Sequence, residues 1–282
     1  MDFRPIRIDA AAIAQYCGLF QACFPGTRVF TPEYVSWLYA ANPDGPAVGF
    51  DAWEGDTLAA HYVCVPALVE IDGVPVRVLL SLNTATHPDF QGKGLFTRLA
   101  QMTYDAAAAE GFGGVYGVAN ANSTPGFLRK LGFTLVRPLE ARIGIGGLWT
   151  REREIEPSFR RTWSDASLAW RCANPNNRVR AQAAADGLRM FARSVHAALP
   201  AYAELRTGGL PVPHGMEAGA VSPVRLYLGL QPDERARYWN YVSIPQRLRP
   251  SPLNLIFRSL GPRTLALDPK RIEFSFLDFD AY

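Results

Sequence analysis

The chain has 282 residues, 48% of them hydrophobic and 20% charged, and 29 Lys+Arg against 26 Asp+Glu leave a net charge of +3. This composition excludes disordered, collagen-like and coiled-coil classes, and so small a basic surplus argues against a nucleic-acid partner. The cysteines (Cys17, Cys23, Cys64, Cys172) form no CxxC pair, so neither a zinc site nor a disulfide framework is expected and a reducing compartment is implied. The start MDFRPIRIDA carries charges where a signal peptide needs an apolar run, and no apolar stretch approaches the ~18 residues of a membrane helix. The expectation is a cytoplasmic protein that uses no metal and no membrane.

Residues 3–8 read as a short strand and residues 11–22 as a helix, stopped by Pro25-Gly26. Thr31-Pro32-Glu33 starts a second helix: Thr31 caps, Pro32 takes the first helical position and Glu33 suits the positive dipole end. It carries Tyr34, Val35, Leu38 and Tyr39 and ends before Asn42-Pro43-Asp44-Gly45. Residues 48–53 and 57–65 form a hairpin about Glu54-Gly55-Asp56, and residues 67–71 and 74–86 a second about Asp72-Gly73. From Gly92 the period changes: Leu95, Phe96, Leu99, Met102, Thr103 and Ala106 share one helical face. A strand at 115–118, a helix at 123–131 and strands at 133–137 and 141–145 follow. The order β-α-α-β-β-β-α-β-α-β predicts an α/β arrangement around one sheet.

The second half is less regular. Residues 151–156 form a charged linker, and Ser164-Asp165 starts a helix through Trp170. Residues 188–199 read as an amphipathic helix, and 224–230, 240–244, 253–259 and 272–277 as strands. Trp37-Leu38-Tyr39-Ala40-Ala41-Asn42-Pro43 has a faint echo in Trp170-Arg171-Cys172-Ala173-Asn174-Pro175, offset by one residue. Trp37, Tyr39, Trp53 and Trp149 read as packing residues.

Chemistry concentrates where strand 74–86 runs through His87-Pro88-Asp89-Phe90 into Gln91-Gly92-Lys93-Gly94-Leu95-Phe96 and a helix. Exposed amides at a helix start carry partial positive charge, and glycines let the backbone approach an anion closely. Lys93 and Arg98 add charge. The segment is a candidate pyrophosphate cradle of neither familiar kind. Leu95 after Gly94 breaks the GxxxxGK[ST] pattern, and Thr97 and Tyr116 stand where GxGxxG needs its last glycine. A second strand, polar corner and short helix follow at Val115 through Asn120-Ala121-Asn122-Ser123 to Lys130-Leu131-Gly132-Phe133.

Together these segments resemble the GCN5-related N-acetyltransferase (GNAT) superfamily, most closely over residues 45–137. Gln91 to Phe96 is similar to its (Arg/Gln)-x-x-Gly-x-(Gly/Ala) acyl-CoA motif, and Asn120 to Phe133 to its second motif. Trp37, Asn42-Pro43-x-Gly45 and His61-Tyr62 resemble a bacterial branch with an extended C-terminal half. The resemblance implies a mixed, mostly antiparallel α/β sheet with two splayed strands. Residues 1–150 would form the acyl-CoA-binding domain, and residues 151–282 an α+β extension or a degenerate second copy. It implies acetyl-CoA or another acyl-CoA as co-substrate. Backbone at Ala85 and Thr86 would meet the pantetheine arm, and amides of Gln91, Gly92, Lys93, Gly94, Leu95 and Phe96 the pyrophosphate. Asn120, Asn122, Ser123 and Phe127 would border the cofactor from the second corner.

Two departures bear on chemistry. Phe96 replaces the last small residue of the motif, so its ring must turn into the core. Leu128 stands where many members carry the tyrosine that protonates the leaving thiolate. Tyr116 and Tyr104 are substitutes by residue type. Alternation puts Ser81, Asn83 and Ala85 on one face, where a carboxylate at 83 would make a base and Asn83 cannot. His61 on the neighbouring strand can accept a proton near neutrality. The candidate catalytic residues are therefore His61, Tyr116 and Asn83, with Phe112 and Tyr116 bounding the acyl chain. His87 reads as structural, His196 and His214 have no partner in the sequence, and Arg160, Arg161, Arg178 and Arg180 could meet an anionic substrate. The expected activity is N-acyl transfer to a small-molecule amine by a monomer or homodimer. Two alternatives stand beside it: an acyl-CoA-binding module without turnover, and an acyltransferase fed by an acyl carrier protein that docks near Lys93, Arg98 and Arg129.

Overall fold

The computed structural model describes residues 1–148, 155–194, 196, 198–206, 209–232 and 240–280. Trp149 and residues 151–154 of the charged run lie outside the described residues. The chain begins with β1 (Asp2–Pro5), α1 (Ala10–Cys23), α2 (Pro32–Ala40), β2 (Val48–Glu54), β3 (Thr57–Ile71) and β4 (Val74–Thr86). It continues with α3 (Leu95–Ala109), β5 (Gly114–Ala119), α4 (Thr124–Lys130), β6 (Thr134–Pro138) and β7 (Glu140–Ile145). The remainder contains β8 (Phe159–Arg161), α5 (Asp165–Cys172), β9 (Arg180–Ala184), β10 (Gly187–Ala192) and β11 (Ala201–Leu205). It closes with β12 (Val224–Leu230), β13 (Tyr241–Ser243), β14 (Asn254–Ser259) and β15 (Phe274–Ser275).

Helix starts follow local chemistry. Asp9 caps α1 by accepting from Ala12 N (3.0 Å), and Thr31 caps α2 by accepting from Tyr34 N (3.2 Å). Ser164 and Ser167 form a reciprocal box at α5, each such cap contributing roughly 1 kcal/mol. Residues 57–71 are one strand, not two, because β3 runs through Pro66. A proline is tolerated there: β2 pairs β3 only up to Cys64 and β8 only from Val69 on, so the missing N–H faces a gap between neighbours. Asn42 Nδ2 donates to the Pro66 carbonyl (2.8 Å).

The strands form two mixed, mostly antiparallel sheets. The first has the order β1-β2-β3-β4-β5-β14-β6, with β8 on β3, and the second β13-β7-β12-β11-β10-β9, with β15 on β12. Each contains one parallel pair, β4 with β5 and β11 with β12. The run β2-β3-β4-β5-β14-β6 matches β9-β10-β11-β12-β7-β13 strand for strand, with the same pairing sense at every step. In both runs the fifth place is taken by a strand from the other half. The strand expected at 141–145 therefore exists but leaves the first sheet, where β14 occupies the place beside β5.

The sequence echo has a spatial counterpart. Trp37 and Trp170 stack with ring centroids 4.8 Å apart. Each indole Nε1 donates to the other's carbonyl oxygen at 3.0 Å. Asn42 and Asn174, after α2 and α5, each accept from the amide two residues on (3.1 and 2.9 Å). The second half carries no helix between β11 and β12 among the described residues, where the first half has α3 between β4 and β5.

The helix expected at 188–199 is the strand β10, paired with β9 and β11. Leu188 and Met190 pack on one core and Phe191 on another, a two-sided burial that a strand provides. Asp186-Gly187 is a hairpin signal. In the first sheet α3 covers Ala60, Tyr62, Cys64 and Leu79 on one face. Helices α1 and α2 cover Val63, Val65 and Ala85 on the other. A third core around Leu80, Tyr116, Phe159 and Leu230 joins strands of both sheets.

Candidate active site

Strands β4 and β5 pair only from Val78–Gly114 to Ser81–Gly117. Beyond that point β4 continues to Thr86 on its β3 side, and no strand pairs its other edge among the described residues. The divergence coincides with a bulge. Tyr62 faces two residues, Asn83 and Thr84, because the register shifts between His61–Ala85 and Val63–Leu82. Asn83 takes a positive φ of 47°, a conformation asparagine tolerates better than most residues. The bulge corrects the expected alternation. Ser81 turns toward α3, bonded to Tyr62 Oη (2.7 Å), while Ala85 packs under α1 and α2. Ser81 and Ala85 thus lie on opposite faces.

The glycine loop and the helix start lie where the sequence indicated. After a short turn at Pro88–Phe90, residues 91–94 are exposed and α3 begins at Leu95. Gly92 (φ 78°) and Gly94 (φ 73°) are left-handed, and a Cβ at either would meet nothing within 4 Å, so the requirement is conformational and the space in front of the loop is open. Gly94 is the N-cap and offers no side-chain bond to the first-turn amides, which leaves them for an anion. Lys93 lies over the Phe90 ring (4.7 Å). Phe96 packs on Tyr62 and Phe127 (5.9 and 5.4 Å between centroids), so its ring joins the core and its amide stays on the loop. Gln91 Nε2 donates to Thr86 O (3.5 Å), which also accepts from Cys23 Sγ (3.3 Å).

At the second corner Asn120 Oδ1 accepts from the amides of Asn122 and Ser123 (both 3.0 Å) and from Ser123 Oγ (3.1 Å). This carbonyl oxygen therefore builds the turn into α4. Thr124 Oγ1 donates to Asn120 O (2.7 Å) and accepts from Asn254 Nδ2 of β14 (3.0 Å). Leu128 packs against the α3 core.

Of the three candidate catalytic residues, the structure brings two together. His61 is fully buried, its Nδ1 2.7 Å from Asp51 Oδ1 and its Nε2 3.0 Å from Tyr39 Oη. Asp51 Oδ2 accepts from Tyr16 Oη (2.8 Å), which in turn accepts from the Arg7 amide (3.0 Å). Burial pushes both phenols well above their usual range; Asp51 adds to the effect at Tyr16, whereas the Asn83 side chain beside Tyr39 opposes it. Asn83 Nδ2 is buried with no hydrogen-bond partner. On the α3 face, Tyr104 and Tyr62 share a 2.6 Å bond and Tyr62 continues to Ser81 at the mouth of the splay.

Tyr116 stands apart. Its hydroxyl donates to Asp278 O (2.8 Å), and its ring packs on Phe159 and Phe274 between the sheets. Phe112 precedes the paired end of β5, with the Arg77 guanidinium over its ring (4.3 Å), remote from the splay. His87 Nδ1 accepts from Asp89 N (3.3 Å) at the loop entry. His196 donates its amide to Ser194 Oγ (3.1 Å), and His214 is exposed. Arg160 pairs with Glu70 (3.0 Å), Arg161 with Asp44 (3.1 Å), and Arg180 bonds Gly215 O (2.9 Å).

Asp51, Tyr39, Tyr16, Tyr62 and Ser81 were not singled out from the sequence as a constellation. The hairpin about Glu54-Gly55-Asp56 pairs Glu54 with Thr57 and Trp53 with Leu58, a register that would set Asp51 against Ala60. A bulge between Ala52 and Trp53, opposite Ala59, shifts it to His61.

Residues 4–136 match the family model described as an acetyltransferase (GNAT) domain. The first half of the chain is thus similar to the GNAT superfamily. The GNAT fold extends beyond the matched segment. A structure from Enterococcus faecalis V583 described as a "Probable N-Acyltransferase" superposes with a TM-score of 0.57 at 10% identity, covering 92% of this chain and 73% of that one. A GCN5-related N-acetyltransferase from Anabaena variabilis ATCC 29413 gives 0.57 at 11% identity, with 92% and 73% covered. Eis1 from Mycobacterium abscessus gives 0.57 at 12%, with 92% and 74%. At such identities these likenesses establish the fold alone. No curated protein matches the chain. Among the described residues, no helix is long and apolar enough to cross a membrane, and no group of three or more His, Cys, Asp or Glu is placed to hold a metal ion.

Proposed function

We propose that the protein is an acyl-CoA-dependent N-acyltransferase, with acetyl-CoA the simplest donor, acting on a small-molecule amine by direct transfer. The observation that carries this reading is the splay of β4 from β5 beyond Ser81 and Gly117, with the uncapped start of α3 at one end and the Asn83 bulge within it. The residues fit the co-substrate. The amides of residues 91–96 and Lys93 would hold the pyrophosphate, and the unpaired edge at Ala85 and Thr86 the pantetheine arm. Asn120, Asn122, Ser123 and Phe127 would border it from the α4 corner. The bound thioester supplies the activated acyl group.

The protein's own task is positioning and proton management. Asn83 Nδ2, a buried donor without a partner, is suited to bond the acyl carbonyl, a contact that strengthens as the oxygen gains charge. Ser81, backed by Tyr62 and Tyr104, takes the place of the tyrosine acid absent at Leu128. His61 and Asp51 provide the basic side. Tyr116, committed to Asp278 O, has no part. The free cysteines suit a reducing cytoplasm.

Leu128, packed where an acid is usual, favours a second reading in which the protein binds acyl-CoA without turnover. One experiment separates the two. Melting temperature is measured with acetyl-CoA, longer acyl-CoAs, NAD and ATP, followed by thiol release with a panel of amines. Ligand at about 100 times its dissociation constant adds ~2.7 kcal/mol, a rise of about 5–10 °C at this size. Gly94→Asp, which sets a carboxylate before the pyrophosphate, should remove the rise, while the left-handed backbone at this position (φ 73°) lowers the ligand-free melt only by about 1 kcal/mol, a few degrees at most. No rise with any CoA thioester would overturn the proposal; a rise without thiol release supports the second reading.

A further inference from the structure

Four polar side chains are buried in one line through the α1/α2 face of the first sheet. Tyr39 and His61 are 0% exposed, Tyr16 1% and Asp51 3%. Such groups are costly to bury unless bonded, and here each is bonded to the next. One end of the line is Tyr39, beside Asn83 at the bulge. The other is Tyr16 and Asp51, which form part of the wall of an open cleft of about 400 Å³ together with Arg4, Arg7, Trp53 and Asp56. The line thus runs from the bulge to a separate opening on the surface.

We infer that Tyr39, His61 and Asp51 form a proton relay that carries the amine's proton from the bulge to the cleft beside Arg7. This rests on the acyltransferase reading and assigns its basic side to Tyr39, with His61 and Asp51 acting through it. An ionised carboxylate only accepts, so the 2.7 Å contact puts the imidazole proton on Nδ1 and leaves Nε2 to accept from Tyr39. As the amine's N–H bond breaks, an O–H bond forms on Tyr39, and the proton Tyr39 already held moves to Nε2. The imidazolium sits against the Asp51 carboxylate. It returns to neutrality when the Nδ1 proton passes through Asp51 to water in the cleft. Once the product has left, Nδ1 takes a proton back from that water through Asp51 while the Nε2 proton returns to Tyr39 and the proton Tyr39 held passes to water in the emptied splay, which restores the resting tautomer. Burial holds Tyr39 and Tyr16 protonated, so Tyr39 hands protons on without ionising. The titratable groups facing the relay are Tyr16 and Cys17 from α1, Tyr39 from α2 and Asp51 from β2, with the Arg7 guanidinium near Tyr16.

The test reads the histidine directly. In protein labelled with ¹⁵N at histidine, long-range ¹H–¹⁵N spectra should show neutral His61 protonated at Nδ1 and bare at Nε2, with the Nε2 resonance moving in Tyr39→Phe. A proton on Nε2 of neutral His61 would overturn the relay, because His61 would then donate to Tyr39. Kinetics provide the second arm. Tyr39→Phe and His61→Gln should each lower kcat by at least about 100-fold, with acyl-CoA affinity unchanged, and the double variant should be no slower than either single. A Tyr39→Phe enzyme within twofold of the parent kcat also overturns it. The spectrum is independent of turnover, so a protein that binds no CoA thioester would sink the acyltransferase reading while the tautomer still decides the relay.

Discussion

At Asn83 the backbone leaves the extended region (φ 47°) in the middle of a strand, at a cost of about 1–3 kcal/mol. That single torsion re-aims the strand, and with it Ser81 and Ala85 part to opposite faces. Asp278 illustrates a second residue-scale effect. It is fully buried, accepts from Ser275 N (2.6 Å) and Ser275 Oγ (3.2 Å), and burial, partly offset by Arg161, pushes its carboxyl up from 3.8 to about 6. Below pH 3.8 both folded and unfolded chains hold this proton. Between about 4 and 6 only the folded chain does, so the group's contribution to stability falls as pH rises, by on the order of 3 kcal/mol in all. Above about 6 the contribution is flat. Asp278→Asn should remove this slope. Urea titrations of parent and variant at several pH values should show their stability difference moving in the variant's favour from pH 4 to 6. A difference constant across that window would refute the assignment. Little of this was visible beforehand. His61 was a plausible base by residue type, but its partner Asp51 is set by the bulge between Ala52 and Trp53, which no turn motif announces.

At the scale of elements, α3 and its loop were the most legible part of the molecule. A single face of Leu95, Leu99 and Thr103 and two glycines before it specify both the helix and its open start, because both are local properties. Strand β3 was read as two pieces, since Pro66 is disallowed only where a neighbour needs its N–H, and neighbours are not local. Strand β10 was misread as a helix for a related reason: it is buried on both faces, which removes the alternation that marks a half-exposed strand. The α2–α5 contact is the clearest tertiary joint between elements. The Trp37–Trp170 stack and its two indole bonds should couple the residues by about 1–2 kcal/mol. A double-mutant cycle with Trp37→Phe and Trp170→Phe, read by chemical denaturation, should return that coupling; additive losses would mean that the stack holds nothing beyond its own burial.

Over the whole molecule the two halves are interlocked by exchanged strands. Strand β14 lies between β5 and β6, and β7 between β12 and β13. A chain ended at residue 150 would lack β14 and leave the facing edges of β5 and β6 unpaired, together with the buried side chains of Leu255, Ile256 and Phe257. Such a fragment should show no cooperative thermal transition by circular dichroism, and adding a peptide spanning residues 250–262 should restore one. A fragment that melts cooperatively unaided would show that β14 is dispensable. By itself the sequence determined the glycine loop before α3, the α4 corner and most of the helix starts, because each depends on residues within a turn or two of one another. Only the tertiary structure decided which sheet β7 and β14 enter, which residue faces His61, and that Tyr116 turns away from the splay. Those outcomes depend on register and strand order, and a one-residue bulge or a strand supplied from more than a hundred residues away changes them without altering any local pattern.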